Sequence, residues 1–326
     1  MKLPHRRNVL QSAAGAVAVC VVSRLARAQA YPSRPVRILV GFSAGGTNDI
    51  VARLIAQWLT ERLGQQVVVE NRPGANSNVA VEAIVRAPGD GYTLGLVGIA
   101  NVLNAALADK PSFDLHRDIA MVAGLNRSPL VLEVNPAVPV NDIAAFIAHA
   151  RANPGRITMA SYGSGSISHV AGELFKAATG TEMLHVPYRG SAPMLTDLLG
   201  GQVQAAFDNL PASVEHIRAG KLRALAVTTA SRSAALPEVP SLSELLLGYD
   251  ASAFFGLGAP RNTPAEIVEK LNEEINAGLR DPRIEARLLE LGGAPLILSS
   301  AAFAKLIDDE IEKWGKVIKI AGIKPQ

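Results

Sequence analysis

Short apolar runs rich in β-branched residues alternate along the chain with stretches whose apolar positions recur every three or four residues. Runs at 36–40, 66–70, 93–97, 121–123 and 131–134 predict strands in the first half. Between them Ile50, Leu54, Ile55, Trp58 and Leu59 share one helical face, and Val79, Ile84 and Val85 do so more weakly. In the second half, strands are predicted at 158–160, 184–186, 205–207 and 224–227, and helices at 143–150, 170–178, 194–199 and 214–219. Strand–helix alternation of this kind predicts parallel α/β sheets covered by helices. The last part reads as helical. Thr263-Pro264-Ala265-Glu266 has the form of a capping box opening a helix through Ile267, Leu271 and Ile275. Ser299 or Ser300 can cap a terminal helix through Phe303, Leu306, Ile307, Ile311 and Trp314.

The first thirty residues break this pattern and read as an export signal. Lys2, Arg6 and Arg7 precede an apolar stretch at 9–22, and Ala26-Arg27-Ala28 and Ala28-Gln29-Ala30 are small-x-small cleavage sites. The stretch is short for a bilayer-spanning helix. Arg6-Arg7 fits a twin-arginine signal as well as a general secretory one. A periplasmic location follows. The single cysteine, Cys20, lies inside this leader, so the exported chain has neither a disulfide nor a cysteine metal site.

Removing the leader also changes the charge. The whole chain has 32 Lys and Arg against 29 Asp and Glu, a formal +3. Residues 1–30 contain five of those bases and no acid, which leaves 27 against 29, a net −2. No basic block remains and aromatics are only 5%, which argues against a nucleic-acid partner. A hydrophobic fraction of 48% over some three hundred residues supports two buried cores.

Two glycine- and serine-rich turns each join a predicted strand to a predicted helix. One runs from Val40 to Asp49 and contains Phe42, Ser43, Gly45, Gly46, Thr47 and Asn48; the other runs from Ala160 to His169. Glycines expose backbone N–H groups, and the helix start behind each turn carries orphan donors and partial positive charge. Such a turn suits an anion. Neither contains Lys or Arg, so the pair predicts a small organic acid gripped from two sides by neutral dipoles. Enzyme signatures are weak: Gly163-Ser164-Gly165 lacks the third glycine of a dinucleotide fingerprint, where Ser168 stands. The chain contains no phosphate-binding GxxxxGK[ST] loop and no HExxH. No cofactor and no metal are expected.

Several ordered motifs carry a family resemblance. They include Val69-Glu70-Asn71-Arg72-Pro73-Gly74-Ala75, Asp90-Gly91-Tyr92-Thr93-Leu94 and His185-Val186-Pro187-Tyr188-Arg189-Gly190-Ser191-Ala192-Pro193. Asp197-Leu198-Leu199-Gly200-Gly201-Gln202-Val203, Gly220-Lys221-Leu222-Arg223-Ala224-Leu225-Ala226-Val227-Thr228 and Glu312-Lys313-Trp314-Gly315-Lys316-Val317-Ile318 follow. The chain resembles the Bug (TctC) substrate-binding proteins of tripartite tricarboxylate transporters from Tyr31 to its end. The resemblance implies a type II periplasmic-binding-protein fold, an α/β fold of two lobes with mostly parallel sheets around a ligand cleft. It implies a signal at 1–30, one lobe from 31–129 and 230–326, and a second lobe at 130–229. It implies a monomeric extracytoplasmic receptor, not an enzyme. The ligand would be a small carboxylate: a dicarboxylate, an amino acid or an aromatic acid. The partner would be the permease subunits of the transporter or, alternatively, a sensor kinase.

The same resemblance places both turns at the cleft. On the first, Phe42 and Ser43 face the ligand, Gly45, Gly46 and Thr47 offer N–H groups, and Thr47 or Asn48 can cap the helix. Related proteins often carry prolines in this turn, as in P-F-x-P-G-G, and Gly41, Ser43 and Ala44 depart from that pattern here. On the second, Tyr162, Ser164, Gly165, Ser166 and Ser168 supply donors, and His169 either packs the helix or meets the ligand. Tyr188 and Arg189 lie in another turn near the cleft. Asp208 and Asn101 follow strands, and Asp208 either receives a ligand amine or hydroxyl or caps its own turn.

Overall fold

The computed structural model describes residues 31–107 and 112–321; the leader, its cleavage sites and Cys20 lie outside the described residues. The chain enters a mixed sheet through β1 (Val36–Val40), crosses by α1 (Thr47–Leu63) to β2 (Val67–Asn71), and by α2 (Asn78–Val85) to β3 (Thr93–Gly98). These three strands are parallel, with β1 between the other two. Helices α3 (Ile99–Leu107) and α4 (Leu115–Asp118) lead to a long strand, β4 (Ile119–Val134). A second strand–helix series follows: α5 (Ile143–Ala152), β5 (Ile157–Ser161), α6 (Ile167–Thr179), β6 (Met183–Pro187), α7 (Ser191–Leu199), β7 (Ala205–Asn209), α8 (Leu210–Arg218) and β8 (Arg223–Val227). Here β5 lies parallel between β6 and β7. The chain returns through β9 (Ser252–Pro260) and ends in α9 (Ala265–Leu279), α10 (Pro282–Glu290), β10 (Ala294–Pro295) and α11 (Ser300–Ala321).

The strands run in the order β2-β1-β3-β9-β4-β7-β5-β6, with β8 and β10 also paired to β4. Two lobes share β4. Its first eleven residues pair antiparallel with β9, and its last five pair antiparallel with β7. The runs at 121–123 and 131–134 are therefore the two ends of one strand. Asn126, Arg127, Ser128 and Pro129 interrupt its apolar pattern, yet each is paired across to β9. The sequence pattern misses β9 altogether, because Gly256 and Gly258 stand where a strand signal wants β-branched residues.

Burial accounts for the helix faces. Val51, Ala52, Ile55, Ala56 and Leu59 of α1 are buried, as are Val170, Ala171 and Phe175 of α6. The terminal helix buries Phe303, Ile307 and Trp314, and Trp314 Nε1 donates to Glu310 Oε2 at 2.8 Å. Ser299 Oγ accepts from Ala302 N–H at the start of α11. The expected capping box before α9 does not form. Thr263 Oγ1 donates instead to Pro260 O at 2.7 Å, closing the turn after β9, and Pro264 caps the helix without a side-chain bond.

Strand β4 changes partner from β9 to β7 at Leu130, and Thr228 ties this point to Ala251, just before β9. Its N–H donates to Leu130 O and its hydroxyl to Ala251 O, while its carbonyl accepts from Ala251 N–H and its Oγ1 from Leu130 N–H, all at 2.5–2.9 Å.

Candidate functional site

The carboxyl ends of β1, β3, β5 and β7 converge on one cleft. Its inner cavity, about 20 Å³, is the size of a single small group. Asn48, Ser77, Gly98, Asn101, Tyr162, Asn209 and Phe42 are among the residues that line it. An outer space of about 460 Å³ shares Phe42 and Tyr162 and adds Asn76, Asn104, Gly163, Ser164, Tyr188 and Arg189. Phe42 and Tyr162 come from opposite lobes and meet edge to face, with ring centroids 5.7 Å apart. Of the described residues lining either space, Arg189 alone is charged, and its side chain is exposed.

The two glycine turns are built on one plan. Gly45 and Gly165 both take positive φ, +83° and +72°, which a side chain would resist. The next residue, Gly46 or Ser166, is extended and caps the helix. Each turn then uses a side chain four residues beyond this positive-φ glycine to take its N–H. Asp49 Oδ2 accepts from Gly45 at 3.0 Å, and His169 Nδ1 accepts from Gly165 at 3.2 Å. Neither amide is therefore directed at a ligand, contrary to the expectation for Gly45 and Gly165. Neither Thr47 nor Asn48 caps α1, because both lie inside it and Gly46 holds the cap position.

Asp49 is anchored further by Arg53 Nε at 2.9 Å and Asn71 Nδ2 at 3.0 Å. Burial pushes its carboxyl up, but the bonds from Arg53, Gly45 and Asn71 outweigh that and hold it below the usual aspartate value. Asn71 Nδ2 also donates to Phe42 O, which fixes the aromatic ring at the cleft.

Three other expected site residues, Ser166, Ser168 and Asp208, bond within their own lobe. Ser166 Oγ donates to Gly163 O at 2.6 Å and accepts from His169 N–H, as a helix cap does. Ser168 Oγ donates to Phe207 O inside the lobe. Asp208 is wholly buried; its carboxylate accepts from Ser191 Oγ at 2.6 Å, Asn209 N–H at 2.8 Å and Ser213 Oγ at 3.1 Å. It holds Ser191, the first residue of α7. Ser213 Oγ also reaches Glu133 Oε1 at 2.8 Å. Burial and then the Asp208 charge raise the Glu133 carboxyl well above its ordinary value. Burial raises Asp208 as well, to about 7, but its three donors offset part of that, so Glu133 takes up the proton of the pair first. Tyr188 OH donates to Asp197 Oδ2 at 2.7 Å; burial first, then that partner, pushes its phenol up to about 12.

Unsatisfied donors remain on the first lobe. Asn101 is 2% exposed; its Oδ1 accepts from Gly98 N–H at 3.1 Å, and its Nδ2 has no partner among the described residues. Ser43 Oγ and Thr47 Oγ1 are likewise buried and unpartnered. A buried polar atom without a partner costs about 1–3 kcal/mol, so these donors await an acceptor. The lobes touch around them. A Cβ on Gly190 would lie 2.2 Å from Ser43 Oγ, and one on Gly46 would lie 3.6 Å from Ser191 Cβ.

The sequence reading missed Asn76, Ser77, Asn104 and Asn209. Ala75, Asn76 and Ser77 all adopt positive φ, between 45° and 77°, a sparse conformation for residues with side chains. Asn76 Nδ2 donates to Asn104 Oδ1 at 3.1 Å, and Asn104 Nδ2 returns a bond to Asn76 O at 2.9 Å. The run Pro73-Gly74-Ala75-Asn76-Ser77 carries turn chemistry that signals the bend, though not its place at the cleft.

Comparison with known proteins agrees with this geometry. Residues 51–323 match the family model for the tripartite tricarboxylate transporter family receptor. The chain belongs to that family. BugT of Bordetella pertussis is 37% identical over 313 residues, covering 94% of this chain and 95% of BugT. An R. palustris protein solved with adipate, Rpa4515, is 39% identical with a TM-score of 0.88, covering 91% of this chain and all of that one. MatC from Rhodopseudomonas palustris, solved with bound malate, is 31% identical with a TM-score of 0.83, covering 88% of this chain and all of MatC. The protein has the fold of a periplasmic solute receptor, and no helix among the described residues is long and apolar enough to cross a membrane.

Proposed function

We propose that this protein is an exported, monomeric receptor that closes two lobes on one small carboxylate and hands it to the permease subunits of a tripartite transporter. The observation that carries the reading is the Asn101 amide, buried in the inner cavity with its donor unpartnered and no charged side chain on the wall. A carboxylate oxygen there would accept from Asn101 and face the amino-terminal ends of α1 and α6. The apolar walls from Phe42, Phe254 and Phe255 suit the carbon skeleton of an organic acid. The relatives solved with adipate and malate support the same ligand class. Passage of the chain near 130 and 229 supports lobe boundaries there, and the basic, apolar, small-residue order of 1–30 supports a cleaved export signal. Binding rather than catalysis fits membership of a transporter receptor family.

A thermal-shift screen tests the ligand class. A carboxylate at one hundred times its dissociation constant should stabilise the protein by about 2.7 kcal/mol. Adipate, malate and glutamate at millimolar concentration are the first probes, with a neutral sugar and a nucleotide beside them. A melt moved only by the sugar or the nucleotide would overturn the reading.

A further inference from the structure

We propose that His169 is a positioning residue for the second glycine turn, and that this role makes ligand affinity fall on acidification. The inference rests on the carboxylate-receptor reading for its binding test, but its bracing role stands on geometry alone.

The bond from Gly165 N–H to His169 Nδ1 requires a lone pair on that nitrogen. The imidazole is therefore neutral and carries its proton on Nε2. That nitrogen is buried without a hydrogen-bond partner among the described residues and lies 3.7 Å from Glu173 Oε1. His185 stacks on the ring with centroids 4.0 Å apart and planes 9° off parallel. Its Nε2 lies 2.7 Å from Ser161 Oγ, which in turn accepts from Gly163 N–H at 3.3 Å. The stacked rings thus hold both glycines that flank Ser164 in the turn.

Protonating His169 places a hydrogen on Nδ1, facing the Gly165 N–H. Acceptor becomes donor, and the bond that fixes Gly165 is lost. A charged ring would also press against His185. The charged or titratable groups that bear on His169 among the described residues are Glu173 and Lys176 of its own helix and His185 of β6; Asn76, Asn104 and Leu107, which face Gly165 from the first lobe, carry no charge. Glu173 favours the cation but is already paired with Lys176 at 2.9 Å. Burial outweighs it and holds His169 below the ordinary histidine value. The neutral brace thus persists at neutral pH and fails only in acid. The first turn behaves oppositely. There Asp49 does the equivalent work as a carboxylate and keeps its acceptor to lower pH.

The test compares the full-length exported chain with His169→Asn and His169→Ala. Asparagine keeps an acceptor near the Nδ1 position but does not titrate; alanine removes it. Dissociation constants for adipate and malate are measured from pH 8 to pH 5 by calorimetry. Protonation of the probes themselves affects all three proteins alike, so the ratio to wild type isolates His169. Wild type should lose about tenfold more affinity across this range than H169N, and H169A should bind more weakly at pH 8 with the shallow profile of H169N. In parallel, NMR of the unliganded protein should show the Gly165 amide shifting with the His169 ring titration. Matching profiles for wild type and H169N, or a Gly165 amide that ignores the titration, overturns the proposal. If the amide follows the ring but no carboxylate binds wild type, the receptor reading fails and the brace stands.

Discussion

Ser43 Oγ sits against Gly190 Cα with no room between the two lobes: a Cβ built on Gly190 would come within 2.2 Å of that oxygen and 3.0 Å of the Ser43 nitrogen. The contact exists only when the lobes are together. Gly190 also has φ +128°, where a side chain is strained. Gly190→Ala should therefore oppose closure more than folding. Small-angle scattering should show wild type contracting on addition of adipate or malate and G190A failing to contract. Contraction of the variant to the wild-type dimension would remove this contact from the closing interface.

Asn101 should dominate ligand affinity. A hydrogen bond to a charged group contributes about 1.5–3 kcal/mol. Asn101→Asp keeps the acceptor for Gly98 N–H while replacing the free donor by a negative charge. Calorimetry should show at least about a hundredfold loss of carboxylate affinity. Retained affinity would place the carboxylate elsewhere.

The aromatic pair bridging the cleft makes a smaller contribution. Edge-to-face pairs add about 0.5–1.5 kcal/mol beyond their burial. Phe42→Leu keeps apolar volume and loses the ring contact to Tyr162. Its affinity for adipate should fall by about three- to tenfold. An unchanged dissociation constant would mean that the ring contact does not help to hold the closed form.

Glu133 gives a pH prediction for stability. Its folded-state carboxyl titrates well above the ordinary value, with burial the main cause. An acid raised in this way contributes stability in its protonated form, and that contribution is lost as pH rises above the unfolded value. Within that window stability falls by about 1.4 kcal/mol for each step of one in pH. Glu133→Gln keeps the shape without the proton requirement. Thermal melts should find E133Q more stable than wild type at pH 8, and the gap should shrink toward pH 5. A gap that widens in acid would reverse the assignment of the proton between Glu133 and Asp208.

Much of the fold is legible in the sequence because buried parallel strands are short unbroken apolar runs, as at 38–40 and 205–207. The strands that join the lobes are less so. Asn126 to Pro129 look like a loop, and Gly256 and Gly258 weaken the signal of β9; only their mutual pairing makes them sheet. The two turns stand out by composition, as glycine- and serine-rich segments that join a strand to a helix. The aim of their side chains is not legible. Ser168 lies one helical position from His169, yet bonds to Phe207 O of β7, a partner 39 residues away. Asn76 escapes for a related reason: its left-handed backbone and its bond to Asn104 come from tertiary packing, not from local preference.

Thr228 has a mechanical consequence for any opening of the clamshell. Because one hydroxyl and one peptide unit join Leu130 to Ala251, the two strands crossing between the halves are not separate pivots. Rotation about one would drag the other, so any opening would turn on a single axle whose pin is a threonine.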